Sequence, residues 1–142
     1  MIVIDGTGCV LGRIASIVAK MALKGEEIHI VNAEKIVITG NRKEIIERYL
    51  HKVKRTSLTN PRRYGPYFPK MPDRIVRRTV RGMLPYKTAR GREAYKRVKA
   101  YIGVPEKFEG REFVRLSEAS RIGGAKQISL KELSKYLGWK GD

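Results

Sequence analysis

Four arginines dictate the chemistry open to this chain. Arg74, Arg77, Arg78 and Arg81 recur at i, i+3, i+4 and i+7, so a helix through them carries four guanidinium forks on one side. A guanidinium is planar and permanently charged, and its N–H donors match phosphate oxygens in pairs. Ile75, Val76, Thr79, Val80 and Met83 fall on the opposite side of the same helix as its core face. After Pro85 the amphipathic pattern restarts, with Ala94, Val98 and Tyr101 inward and Arg92, Lys96 and Lys99 on an outer stripe. The stretch 73–103 therefore reads as two successive helices with cationic outer faces and almost no acid between them. A solvated face normally mixes signs. This one does not, and its chemistry is that of holding a polyanion.

The charge is local as well as large. The 142 residues include 31 Lys and Arg against 14 Asp and Glu, a net charge of +17. Between His51 and Tyr101 there are 16 basic and two acidic residues, Asp73 and Glu93, so that third of the chain carries +14. Self-repulsion on this scale destabilises a fold unless a polyanion neutralises it, and nucleic acid presents the densest array of phosphates. A membrane surface fits less well. There is no apolar run long enough to span a bilayer, the basic helices lack an exposed apolar wedge, and the N-terminus has no secretory pattern. A lone Cys9 rules out an internal disulfide and suits a reducing cytoplasm.

These helices need a scaffold, and the N-terminal half supplies one. Ile2–Ile4 reads as a buried strand, Val10–Leu23 as a helix apolar on nearly every face, and Ile28–Val31 as a second strand. Strand, helix and strand within so short a span make a βαβ unit, with parallel strands and a right-handed crossover. Ile36–Ile38 is a short third strand. Asn41 caps a following helix with Glu44 as its capping-box partner, burying Ile45, Ile46, Tyr49, Leu50 and Val53. Glu112–Leu116 reads as a last strand and 121–126 as a basic loop. Ser129–Leu137 forms a closing helix with Leu130, Leu133, Tyr136 and Leu137 on its apolar face. No internal repeat or composition break divides the chain, so one domain over 1–142 is expected.

Between scaffold and helices lies a basic arm at about 55–72. It holds four of the six prolines, Pro61, Pro66, Pro69 and Pro72, which remove ladder donors and favour extended backbone. Tyr64, Tyr67 and Phe68 beside Arg62, Arg63 and Lys70 combine flat faces with cations, as unpaired RNA bases require. Phe68 is equally suited to folding back over the arm's own base.

Other motifs have blander explanations. Gly6-Thr7-Gly8-Cys9-Val10-Leu11-Gly12 sits between strand and helix, where phosphate loops occur, but its G-x-G-x-x-x-G spacing lacks a following G-K-[ST]. A nucleotide-dependent enzyme using this turn is the alternative from another class, and a tight turn accounts for the glycines. Arg13 in the first helical turn is an outward phosphate contact. Cys9 reads as a packed thiol, and His29 and His51 have no ligand spacing for a metal. No cofactor, metal or catalytic group is expected.

Three motifs in order resemble the ribosomal large-subunit protein thirteen family. They are Leu11–Ser16, Val31–Asn41, and Arg81-Gly82-Met83-Leu84-Pro85 with Gly91-Arg92 and Val98–Gly103. The segment Asn60–Pro66 is similar to the archaeal and eukaryotic branch and lacks the corresponding bacterial segment. The resemblance implies a three-layer α/β/α fold with a four-stranded parallel sheet. It also implies a non-catalytic structural role on large-subunit rRNA beside other ribosomal proteins, as a monomer within the cytoplasmic ribosome. With the charge pattern, it makes Arg74, Arg77, Arg78, Arg81, Lys87, Arg90, Arg92 and Lys96 the helical RNA contacts. Lys54, Arg55, Arg62, Arg63, Tyr64 and Lys70 are those of the arm, and Arg13, Arg121 and Lys126 lie outside it. Met83, Leu84 and Pro85 fix the break between the helices. A regulator of messenger RNA is the remaining alternative, since the same surface would serve it.

Overall fold

Ile2–Asp5 forms β1, Leu11–Leu23 forms α1 and Ile28–Val31 forms β2, and the two strands run parallel with Ile2 opposite Ile28. The computed structural model describes residues 1–55, 67–120 and 126–141. The expected βαβ unit is therefore present. Helix α1 buries Leu11, Ile14, Ala15, Val18, Ala19 and Ala22, the repeat of a helix lying across a sheet. It ends in a Schellman turn: Gly25, at φ +97°, donates to the Ala22 carbonyl, and Glu26 donates to Met21.

The remaining elements are β3 (Val37–Thr39), α2 (Arg42–Lys54), α3 (Pro72–Gly82), α4 (Ala89–Lys96), β4 (Val98–Ala100), β5 (Gln127–Ser129) and α5 (Leu130–Leu137). Strand β2 is central, flanked by β1 and β4 in a three-stranded parallel sheet. Ile4, Ile28, Ile30 and Val98 point from one face into the main core with Ile14, Ile75, Val76 and Val80. Each such side chain, fully buried, contributes about 1.5–3 kcal/mol. The other face carries Val3 and Val31 under Phe108, Tyr101 and Phe113. A 3₁₀ turn at Glu106–Phe108 covers it, so the helix layer expected on this face of the sheet is replaced by a turn and aromatic rings.

The expected four-stranded parallel sheet is also corrected. Asn32 adopts φ +56°, donating its amide to Gly103 O and its side chain to Asp5 Oδ1. The chain leaves the sheet there, and β3 pairs antiparallel with β5 in a separate two-stranded ribbon. The strand expected at Glu112–Leu116 shrinks to one parallel bridge, Ile4 to Val114, held by two backbone hydrogen bonds to β1. Val114 is 45% exposed and Glu112 and Arg115 are exposed too, so of residues 112–115 only Phe113 packs inward and the buried alternation of a longer strand is not sustained.

The second cationic helix stops at Lys96. Inward positions 94, 98 and 101 fit a helix, yet Val98, Lys99 and Ala100 alternate buried, exposed, buried, and Val98 pairs with Ile28. Three residues satisfy both periods, and the sheet decides between them. Ser129 caps α5 as expected, accepting from the Glu132 amide. Asn41 caps α2 but accepts from the Lys43 amide rather than from that of Glu44, its expected capping-box partner. Tyr136, assigned to the apolar face of α5, is instead 53% exposed and accepts a hydrogen bond from Arg42.

Candidate nucleic-acid interface

Helix α3 is set by Pro72 at its first position and Asp73 in its first turn, and it buries Ile75, Val76 and Val80 as the spacing requires. Met83 departs from the expectation: it is 44% exposed, and Leu84 takes the core position at 7%. The helix ends at Gly82, so the 100° step no longer applies to Met83. Met83→Ala is expected to change stability by no more than about 0.5 kcal/mol, whereas Leu84→Ala should cost about 2–5 kcal/mol. Thermal denaturation of the two variants measures the difference, and equal losses would contradict the placement.

The four arginines of α3 are not equivalent. Arg74 and Arg78 are exposed, and Arg78 reaches the Tyr67 carbonyl at 3.5 Å. Arg77 is half-buried, donates from Nε to the Val98 carbonyl at 3.1 Å and lies 4.5 Å over the Tyr95 ring. It braces α3 against β4 and α4, so its head is turned toward the fold rather than straight outward as the spacing predicts. Helical periodicity fixes only the Cα–Cβ direction, and a long side chain carries its head elsewhere. Arg81, also half-buried, lies 4.1 Å over Tyr86, whose ring meets Tyr95 edge-on at 5.5 Å. Such cation–ring contacts contribute about 0.5–2 kcal/mol each.

The turn between α3 and α4 is tightly tied. Thr88 caps α4: its hydroxyl accepts from the Gly91 amide and donates to the Pro85 carbonyl. Arg92 donates Nε to the Tyr86 carbonyl at 3.2 Å and Nη2 to Lys87 at 3.3 Å, so part of its fork is engaged internally. Two open grooves result. One, of about 670 Å³, runs between Arg78, Arg81 and the turn residues Leu84–Thr88, with Arg92 at its edge. The other, of about 420 Å³, lies between Tyr67–Pro69 and the side chains of Arg74, Arg77, Arg78, Arg81 and Tyr95. Arg78 and Arg81 line both, forming a cationic ridge between them.

Phe68 packs edge-on against Tyr49 at 5.7 Å, resolving its two alternatives in favour of covering the base of the arm. Lys52 sits over both rings. Burial pushes its ammonium below the usual lysine range, and nearby Arg48, Arg55 and Arg78 add to the shift. Lys52 and Arg48 belong to the cationic cluster, as do the ring supports Tyr86 and Tyr95. Sequence reasoning missed all four, because Lys52 and Arg48 are joined to the cluster through Phe68 and Arg78, and Tyr86 and Tyr95 through the arginines of α3. Arg97 serves a structural end, donating to the Ala22 carbonyl at the C-terminus of α1.

Of the other expected contacts, Lys54, Arg55, Lys70, Lys87, Arg90 and Lys96 are exposed. Arg13 is exposed and donates to the Ser120 carbonyl, and Lys126 is exposed beside Gly40, to which its carbonyl is bonded. Neither lines the two grooves. Arg62, Arg63, Tyr64 and Arg121 lie outside the described residues.

The first five residues of the Gly6–Gly12 turn spend their amides within the fold. The Gly6, Gly8, Cys9 and Val10 amides donate to the carbonyls of Val31, Lys35, Gly6 and Ala119, and Thr7 donates to Asp5. A phosphate loop works through several free amides in succession, and the five from Gly6 to Val10 are engaged. Gly6 is needed for close packing, since a Cβ there would stand 2.8 Å from Ile36. Burial opposes ionisation of Asp5, but hydrogen bonds from Thr7 and Asn32 and the charge of Arg115 outweigh it and hold the carboxyl below its ordinary range. Cys9 is a packed thiol, as expected, with burial and then Asp5 pushing its pKa up. Among the described residues, no cluster of His, Cys, Asp and Glu could hold a metal, and no helix is long and apolar enough to cross a membrane.

Fold and surface together define a basic α/β protein whose charge is concentrated on two short helices and the turn joining them. The chain belongs to the family described as Ribosomal protein L13, whose profile matches residues 1–107. Among its relatives is the large ribosomal subunit protein uL13 of Methanocaldococcus jannaschii, 52% identical over 140 residues and 99% of each chain. That of Methanosphaera stadtmanae is 51% identical over 138 residues and 97% of each chain. The protein of the same name from Methanopyrus kandleri is 50% identical over 142 residues, covering 97% of this chain and 87% of its own.

Proposed function

We propose that this protein is a non-catalytic structural constituent of the large ribosomal subunit that binds and stabilises folded large-subunit rRNA. The observation that carries the reading is the ridge of Arg78 and Arg81 between two open cationic grooves, in a chain whose relatives are named for that subunit. Folding RNA brings phosphates together, and fixed guanidinium and ammonium groups offset their repulsion. Arg74, Arg78, Arg81, Lys87, Arg90 and Lys96 do this from α3, α4 and their turn. Lys52, Lys54, Arg55 and Lys70 add to these contacts, as do Arg62, Arg63 and Tyr64 of the arm and, separately, Arg13, Arg121 and Lys126. The chain acts as one domain over 1–142, a monomer in the cytoplasmic ribosome beside other large-subunit proteins, without cofactor, metal or small-molecule substrate.

Salt dependence tests the electrostatic core of this reading. Log K for large-subunit rRNA should fall linearly with log salt, by about 0.7–0.9 for each phosphate neutralised. Backbone protection by the pure protein should be confined to discrete rRNA sites and absent from unrelated structured RNA. An affinity that barely responds to salt would remove the phosphate mechanism. Equal protection of both RNAs would remove the assignment to rRNA and leave the messenger-binding alternative.

A further inference from the structure

Arg81 combines two properties that the other α3 arginines do not share. Its guanidinium lies 4.1 Å over the Tyr86 ring, and that guanidinium makes no hydrogen bond or ion pair to another described residue. Arg77 also lies over a ring, that of Tyr95, but its Nε donates to the Val98 carbonyl. Arg81 borders the larger groove, whose about 670 Å³ falls within the range of single small-molecule sites. Leu84 and Pro85 give that groove an apolar floor, and Arg78 and Lys87 give it a cationic edge. The turn forming it is held by Thr88, Gly91 and Arg92 before any partner arrives. A base within a duplex is stacked above and below and cannot enter such a recess. An unpaired base can, and RNA-binding proteins lay such bases on aromatic rings or guanidinium planes.

We propose that this groove receives one unpaired nucleotide of the bound RNA, with its base on the Arg81 guanidinium and its flanking phosphates on Arg78 and Lys87. Tyr86 acts through Arg81, as a positioning residue that holds the guanidinium flat. This inference rests on the RNA-binding reading above and adds a preference for extrahelical bases, which charge alone does not produce.

The test uses two short RNA hairpins of equal length, one with a single bulged 2-aminopurine and one with 2-aminopurine paired. Both are titrated at low salt, where a protein of this charge binds any RNA. The bulged hairpin should bind about ten-fold more tightly, a gain within the range for stacking one base, and its fluorescence should change on binding. Arg81→Lys keeps the charge and removes the plane, so affinity for the bulged hairpin should fall by more than that for the paired one, and the preference should shrink to within about two-fold. Tyr86→Leu should act in the same direction, and melting curves confirm that each variant is folded. Should Tyr86→Leu unfold, Arg81→Lys decides alone. Equal tight binding of both hairpins by the natural protein, or a preference that survives Arg81→Lys, overturns the inference and leaves RNA binding standing. Failure to bind either hairpin overturns the RNA reading itself. Free AMP should show no saturable binding, and if it does, the groove is a mononucleotide site rather than part of an RNA surface.

Discussion

Changing Arg74, Arg78 and Lys87 together to Glu is expected to lower rRNA affinity at least about a thousand-fold at physiological salt while leaving the fold intact. All three side chains are exposed. Each substitution removes a phosphate contact and places a carboxylate against the RNA, which corresponds to about ten-fold, or 1.4 kcal/mol, per site. The slope of log K against log salt should become shallower by roughly three contacts' worth. The melting temperature should hold or rise, because Arg78→Glu relieves like-charge repulsion on Lys52 and all three substitutions lower the excess positive charge. Arg77→Glu should behave oppositely. It removes the hydrogen bond to Val98 and the contact with Tyr95, and it leaves a carboxylate facing a carbonyl and a ring face. Filter binding across a salt series with parallel melting curves decides between them. A triple variant that unfolds, or an Arg77→Glu variant of full stability, would mean that the arginines have been sorted wrongly.

Gly91→Ala should be strongly destabilising, against the ordinary expectation for a helix. In a helix interior the exchange normally gains about 1 kcal/mol. Here a Cβ at Gly91 would fall inside the van der Waals envelope of the Pro85 carbonyl. That neighbour is backbone, held by bonds from the Thr88 amide and hydroxyl, so it cannot swing aside. Overpacking of this kind costs about 1–3 kcal/mol or more, and it separates α4 from the turn that orients Tyr86 and Arg92. Denaturant unfolding should show the loss of stability, and rRNA affinity of the folded fraction should fall with it. A variant as stable as the natural protein would show that the turn yields, and that its rigidity is not what shapes the groove.

Much of this protein is written in local pattern, and the patterns that held are those with a single physical solution. The run Leu11–Leu23 is apolar on too many faces to be anything but a covered helix, and Gly25 ends it in the left-handed turn that glycine permits. Ile28–Val31, buried at every position, is a central parallel strand for the same reason. The concentration of +14 in the span 51–101 is independent of fold and already points to a polyanion.

Tertiary structure decided what local pattern left open. Val98–Ala100 fits helix and strand alike over three residues, and pairing with Ile28 makes it a strand. Val37–Thr39 reads as a strand in sequence, but Asn32 turns the chain away so that it joins β5 instead of the parallel sheet. The arginines illustrate the point most clearly. Arg74, Arg77, Arg78 and Arg81 share one helical face, so periodicity treats them alike. Their roles diverge only because Tyr95, Tyr86 and the Val98 carbonyl come from other elements and capture two of the four guanidinium heads. Composition determines that this surface is cationic. Where each charge is held, and which forks stay open for a phosphate or a base, depends on neighbours that only the packed fold brings within reach.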